Sequence, residues 1–137
     1  MNSDHQNRQY FATCPKGLEQ LLLEELQGLG AAELKSTTGG VYFGWALDAA
    51  YRACLWSRLA NRILLPLGRF SMETAEQLYE GIQTIDWLAH MRSEGSLAVD
   101  FSGRARGIKN THFGALKVKD AVVDQIRDNT GQRPSVD

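Results

Sequence analysis

Leu18, Leu21, Leu22, Leu26 and Leu29 recur at the spacing that lines one side of a helix, while Glu19, Glu24 and Glu25 fall outside that stripe. Pro15 stands where its missing N–H is tolerated, in the first turn, and Gly28 and Gly30 stop the run. Ahead of it, Q-Y-F-A-T (9–13) predicts a short buried strand, preceded by a polar arm over residues 1–8. Residues 31–38 and 41–45 predict two strands joined at Gly39-Gly40, which supplies the positive φ of a tight hairpin. A second helix is expected over 47–57, with Asp48 in its first turn and Tyr51, Cys54 and Leu55 facing inward. The run I-L-L-P-L-G-R-F (63–70) reads as an extended apolar strand, at an edge or broken, because Pro66 cannot donate to a ladder. The order is β-α-β-β-α-β, a ferredoxin-like unit over residues 1–70.

Residues 71–137 follow a different pattern. Thr74 is a good N-cap with Gln77 at the capping-box position, and Leu78, Ile82 and Ile85 carry a helix to about Trp87. Its outer face is acidic through Glu73, Glu76 and Glu80. S-E-G-S (93–96) is a turn, and Leu97, Val99 and Phe101 alternate as one strand. A loop (102–110) and a helix (111–129) follow, the helix ended by Gly131 and Pro134. One strand leaves backbone groups unpaired on both edges. This part is therefore expected to be an unfinished α/β domain, a fragment whose missing strands lie elsewhere or come from self-association through the open strand. The predicted class is α+β, a ferredoxin-like domain (1–70) and then a truncated second domain (71–137).

Charge sharpens the second half. Between Asp100 and Asp120 the chain holds Arg104, Arg106, Lys109, Lys117 and Lys119 and no carboxylate, although the whole protein is formally −1. One face is thus expected to be basic, as a nucleic-acid surface requires. Gly103 and Gly107 bracket R-A-R, and Asn110 or Thr111 caps a helix whose free N–H groups attract anions. Two readings stand for this loop: a site for one or two phosphates, or an ordinary solvated surface. Along the helix, Ala115, Val118, Val122 and Ile126 form an apolar stripe widened by Leu116 and Val123. Lys117 lies on the polar face within reach of Asp120 at i+3. Lys119 projects inside the apolar arc, either snorkelling to water or aimed at a bound phosphate.

Several function classes are excluded. No apolar run approaches the roughly 20 residues that cross a bilayer, and the polar start does not resemble a secretory leader, so a cytoplasmic protein is expected. Two cysteines and three histidines are too scattered for a metal site. Gly28-Leu29-Gly30 follows a helix rather than a strand, so it is a stop signal and not a dinucleotide loop. The three prolines are isolated, which rules out the Asn/Asp-Pro-Pro-aromatic motif of amino-group methylases. Trp45, Trp56, Trp87 and the tyrosines are assigned to packing. No catalytic residue is expected within the chain, which reads as a binding or positioning module.

Three separated blocks carry a resemblance. F-A-T-C-P-K-G-L-E-Q-L-L-L-E-E-L-Q-G-L-G-A, G-G-V-Y-F-G and W-S-R-L-A-N-R-I-L-L-P-L are similar to the N-terminus of bacterial large-subunit ribosomal RNA guanine-N2 methyltransferases. F-S-G (101–103), I-K-N (108–110) and G-A-L-K-V-K-D-A (114–121) resemble the THUMP domain of the same family. The resemblance implies a ferredoxin-like domain, an RNA-binding THUMP domain, and a parent enzyme using S-adenosyl-L-methionine (AdoMet) to act on large-subunit (23S) ribosomal RNA. It implies RNA contacts at Lys109, Asn110, Lys117 and Lys119, beside Arg104 and Arg106 from the charge pattern. Two other readings remain: the front end of a DNA adenine methylase-like enzyme, and a non-catalytic ferredoxin-like interaction module.

Overall fold

Alternation along strand β1 (Gln9–Thr13) sets the first layer: Tyr10 and Ala12 are buried, while Phe11 and Thr13 on the other side are half-buried. This computed structural model describes residues 9–44 and 46–137. The expectations for the arm 1–8 and for Trp45 lie outside them. Helix α1 (Glu19–Gly28), strands β2 (Ala32–Thr37) and β3 (Gly40–Gly44), helix α2 (Leu47–Trp56) and strand β4 (Arg62–Leu64) complete the unit Met1–Leu67. Its sheet runs β2-β3-β1-β4, with every neighbouring pair antiparallel. This is the ferredoxin-like order, in which β1 and β2 sandwich the strand of opposite direction.

The core lies on one side of that sheet. Tyr10, Ala12, Val41 and Phe43 meet Leu22 and Leu26 of α1 and Ala49, Ala50 and Ala53 of α2. Phe43, Leu22 and Leu26 are fully buried, each worth about 1.5–3 kcal/mol in removed apolar surface. Gly30 (φ +89) ends α1 in a Schellman arrangement: Ala31 N–H donates to Leu26 O at 3.0 Å and Gly30 N–H to Gln27 O at 3.1 Å. Glu19 ties α1 to the hairpin by accepting from Gly39 N–H at 2.9 Å. Glu25 accepts from the Ser57 hydroxyl and from the N–H groups of Arg58 and Leu59, fastening the segment after α2.

Three expectations fail here. Tyr51 and Leu55 are 65% and 73% exposed and Cys54 is exposed, because α2 turns its small-residue face to the sheet. The alanines let the helix backbone approach closely, and the larger side chains stay outside. Leu21 is likewise 52% exposed. The expected strand 63–70 is only Arg62–Leu64, since Pro66 ends the pairing with β1.

The unit Gly68–Asp137 holds α3 (Ala75–Gln83), a 3-10 turn (Trp87–Ala89), β5 (Ser96–Leu97), α4 (Thr111–Thr130) and β6 (Ser135–Val136). Leu78 and Gly81 of α3 and Gly114, Ala121, Val122, Val123 and Ile126 of α4 are buried. A Cβ at Gly81 would overlap the Phe70 ring, and one at Gly114 would lie 2.6 Å from Phe101, so each glycine seats an aromatic ring on its helix. A polar seam joins the two helices. Tyr79 OH donates to Asp124 at 2.6 Å; Gln125 donates to Gln83 O and Ile85 O and accepts from Trp87 N–H. That one amide satisfies carbonyls left open where α3 ends.

Thr74 caps α3 as expected, accepting from Gln77 N–H at 3.1 Å, while the Gln77 side chain reaches Glu73 N–H rather than that of the cap itself. The helix stops before residue 87; Thr84 is its C-cap. The strand expected over 97–101 is only Ser96–Leu97, and it is not alone. It pairs in parallel with Ser135–Val136, with Ser135 N–H donating to Gly95 O and Asp137 N–H to Leu97 O. Sequence could not show this partner, because a two-residue bridge has no period.

Candidate nucleic-acid interface

The loop 102–110 is shaped by two residues in the left-handed region, Gly103 (φ +91) and Gly107 (φ +81). Ile108 N–H donates to Ala105 O at 3.2 Å, closing a turn with Gly107 in third place, the pattern of a type II turn. A Cβ on Gly107 would lie 2.5 Å from Glu73 O and 3.0 Å from Thr74 Cα. Glycine therefore both supplies the φ and lets the turn lie against the start of α3. Asn110 then caps α4, its Oδ1 accepting from Phe113 N–H at 2.8 Å. Among the described residues the N–H groups of Thr111 and His112 have no partner, as first-turn amides of a helix do.

Gly103, Arg104, Ala105, Ile108, Lys109, Asn110 and Thr111 line an open depression of about 550 Å³ at this helix end. Arg104, Arg106 and Lys109 are exposed, and among the described residues none has a carboxylate within 4.0 Å. The charge is thus not spent on a neighbour, and the dipole of a 20-residue helix adds to it. Chemically the depression offers two cations, unpaired amides and no acid, a set that suits a phosphate.

The other expected residues are placed differently. Arg106 sits at the turn tip, outside the lining of the depression. Lys117 is half-buried, and Lys119 does not reach the depression at all. The expected Lys117–Asp120 pair is replaced: Lys119 Nζ meets Asp120 Oδ1 at 2.7 Å, with the lysine side chain 20% exposed. Its stem is packed and its charge answered, so the snorkelling account describes it. No group of three or more His, Cys, Asp or Glu close enough for a metal occurs among the described residues, and no helix there is long and apolar enough to cross a membrane. Cys14 is buried, and burial together with the Glu19 charge pushes its thiol pKa up, away from nucleophilic use.

Comparison with known proteins decides the family. Residues 9–64 match the RlmL ferredoxin-like domain and residues 72–137 match the THUMP domain. The chain carries an RlmL ferredoxin-like domain followed by a THUMP domain. Its relatives agree. The chain is 59% identical over 128 residues to a ribosomal RNA large subunit methyltransferase K/L of Cellvibrio japonicus, covering 93% of this chain and 17% of that protein. It is 60% identical over 125 residues to one from Ectopseudomonas mendocina, covering 91% and 17%. The RlmL-type chain thus spans about a sixth of the length of the curated relatives it matches. Among solved structures it superposes on a protein from Listeria monocytogenes described as a predicted N6-adenine-specific DNA methylase. That match has a TM-score of 0.80 at 27% identity, covering 90% of this chain and 32% of that one. SMU.472, solved in complex with SAH, shares the fold at a TM-score of 0.84 and 22% identity, covering 95% and 36%.

One surface of this RlmL-type unit was missed by the pattern of the sequence. Phe11 and Tyr42 face away from the core, on the side of the sheet opposite Tyr10 and Phe43, with ring centroids 4.6 Å apart. The period of two in Q-Y-F-A-T and G-V-Y-F-G contains this signal, since it puts one aromatic on each face.

Proposed function

We propose that this chain is the RNA-binding and substrate-positioning region of an AdoMet-dependent methyltransferase acting on guanine N2 of large-subunit ribosomal RNA in the bacterial cytoplasm. The observation that carries the reading is the depression at the N-terminus of α4, where Arg104 and Lys109 have no ionic partner among the described residues. In this reading Arg104, Lys109 and Asn110 hold one backbone phosphate, Arg106 and Lys117 extend the contact along the RNA, and Lys119, held by Asp120, stays out of it. Phosphate contacts fix position and leave base identity unread, which suits a module that sets the distance to a target base. The 58–60% identity to relatives named for ribosomal RNA supports RNA as the polymer. A second reading, the front end of a DNA adenine methylase, is favoured only by the description of the Listeria structure at 27% identity.

AdoMet has no fitting site among the described residues. Gly28 and Gly30 end a helix instead of opening one after a strand, and the depression at α4 is lined by cations rather than a ribose-binding acid. Methyl transfer belongs to the rest of the parent enzyme, and no step of it is assigned to this chain.

The test is a salt titration of binding to a ribosomal RNA hairpin and to a DNA hairpin of the same sequence. The triple variant Arg104→Ala/Arg106→Ala/Lys109→Ala should lower the log–log salt slope by about 0.7–0.9 for each phosphate it no longer neutralises. Unchanged affinity and slope in this variant would refute the loop assignment, and a preference for the DNA hairpin would favour the second reading.

A further inference from the structure

The two central strands of the ferredoxin-like sheet carry an aromatic pair on the face opposite α1 and α2. Phe11 on β1 and Tyr42 on β3 are direct cross-strand partners, with ring centroids 4.6 Å apart and ring planes at 42°. Both are half-buried, so part of each ring meets solvent. The register extends this row across the whole sheet, with Lys35 opposite Tyr42 and Leu64 opposite Phe11. Lys35 is exposed and Leu64 is 43% exposed.

Glycine keeps the row flat. A Cβ on Gly40 would lie 2.5 Å from Phe11 Cζ, so the Phe11 ring lies down across the backbone of β3. Gly44, at the other end of β3, is bordered by the Glu33 carboxylate, brought there by a bulge in which Glu33 takes φ +52. At the Gly40 end stand Thr13, Thr37 and Arg62, linked through the same register. Among the described residues neither Lys35 nor Arg62 has a carboxylate within 4.0 Å.

A cross-strand aromatic pair adds about 0.2–1 kcal/mol to a sheet, but that gain requires no unpaired cations at the ends of the row. As a recognition surface the set is coherent: rings accept the faces of unpaired bases, cations at the flanks accept phosphates, and a carboxylate accepts from a base amino group. We infer that the open face of this sheet is a second RNA contact, a platform on which Phe11 and Tyr42 stack unpaired bases of a single-stranded segment, with Lys35 and Arg62 holding the adjoining phosphates. The platform rests on the proposal that the chain binds RNA, and adds to it the kind of RNA recognised. Base stacking needs splayed, single-stranded nucleotides, whereas the α4 depression needs only a phosphate.

The test uses the 137-residue chain with two probes: a single-stranded uridine oligoribonucleotide and a blunt RNA hairpin. Phe11→Leu/Tyr42→Leu should bind the single strand about tenfold or more weakly, with an unchanged salt slope and hairpin binding within about twofold of wild type. The triple loop variant should lose affinity for both probes and show the lower slope. In wild type, ring resonances of Phe11 and Tyr42 should shift on saturation with the single strand, and ultraviolet cross-linking should attach uridine at these residues. This second measurement decides the matter even if the double variant unfolds. Ring resonances that do not move, or single-strand binding unaffected in a folded double variant, overturn the platform while leaving hairpin binding and the loop assignment standing. A wild-type chain that binds neither probe overturns both.

Discussion

The two units solve the same problem with different materials. Met1–Leu67 buries large side chains, Phe43, Leu22 and Leu26, against one face of a four-stranded sheet. In Gly68–Asp137 the strands are two residues long, and α3 and α4 pack through Leu78, Ala121, Val122, Val123 and Ile126. Glycines that seat aromatic rings and a glutamine that closes a helix end complete that packing. The difference reaches the surface. A sheet with helices on one side leaves a flat face where Phe11 and Tyr42 meet solvent. A helix start leaves amides and a dipole, and there the chain gathers Arg104 and Lys109. In the proposed reading, the two architectures offer two recognition chemistries, stacking in one unit and charge in the other.

Core truncation should break the comparison most strongly. Phe43→Ala removes a fully buried ring and should cost about 3–5 kcal/mol, while Ile126→Ala in the other unit should cost about 2–5 kcal/mol. Urea denaturation followed by tryptophan fluorescence and by circular dichroism measures both. Equal losses from Leu21→Ala, whose side chain is 52% exposed, would mean that the burial assigned to α1 is wrong.

A subtler contrast concerns the glycine seats. Gly81→Ala should gain about 1 kcal/mol of helix propensity yet lose more by displacing the Phe70 ring, about 1–3 kcal/mol. With Phe70→Ala already present, the same substitution should become stabilising. A double-mutant cycle in thermal unfolding reads this change of sign, and its absence would mean that the ring does not sit on Gly81.

The smallest effects are in pH, and they oppose one another. Burial tends to raise the Glu25 pKa, but hydrogen bonds from Ser57, Arg58 and Leu59 outweigh it and hold the carboxyl below its usual 4.5. Its contribution to stability is thus present above that value and fades as pH falls through the lower folded one. Tyr79 is shifted the other way. Its hydrogen bond to Asp124, then burial and the charges of Asp124 and Asp128, raise its pKa above 10.0. Its contribution is full below 10.0 and fades as pH rises through the folded value. Glu25→Gln should flatten the acid side of the melting-temperature profile and Tyr79→Phe the alkaline side. A profile unchanged by both substitutions would remove these bonds from the stability of the two units.

By itself the sequence determined the order β-α-β-β-α-β, the hairpin at Gly39-Gly40, the Thr74 and Asn110 caps and the stop at Gly131, because each is set by residues close together in the chain. It also located the basic loop, since a run without carboxylates is a property of the sequence. Tertiary structure alone decided which apolar face of α2 is inside. Leu47, Tyr51 and Leu55 form as good a stripe as the alanines, and only the close approach to the sheet selects Ala49, Ala50 and Ala53. It gave Ser96–Leu97 a partner at the far end of the unit, Ser135–Val136, and moved Asp120 from Lys117 to Lys119. It also set Phe11 beside Tyr42. A period of two says that each residue leaves the core; only strand register, fixed by contacts remote in sequence, says that they leave it together.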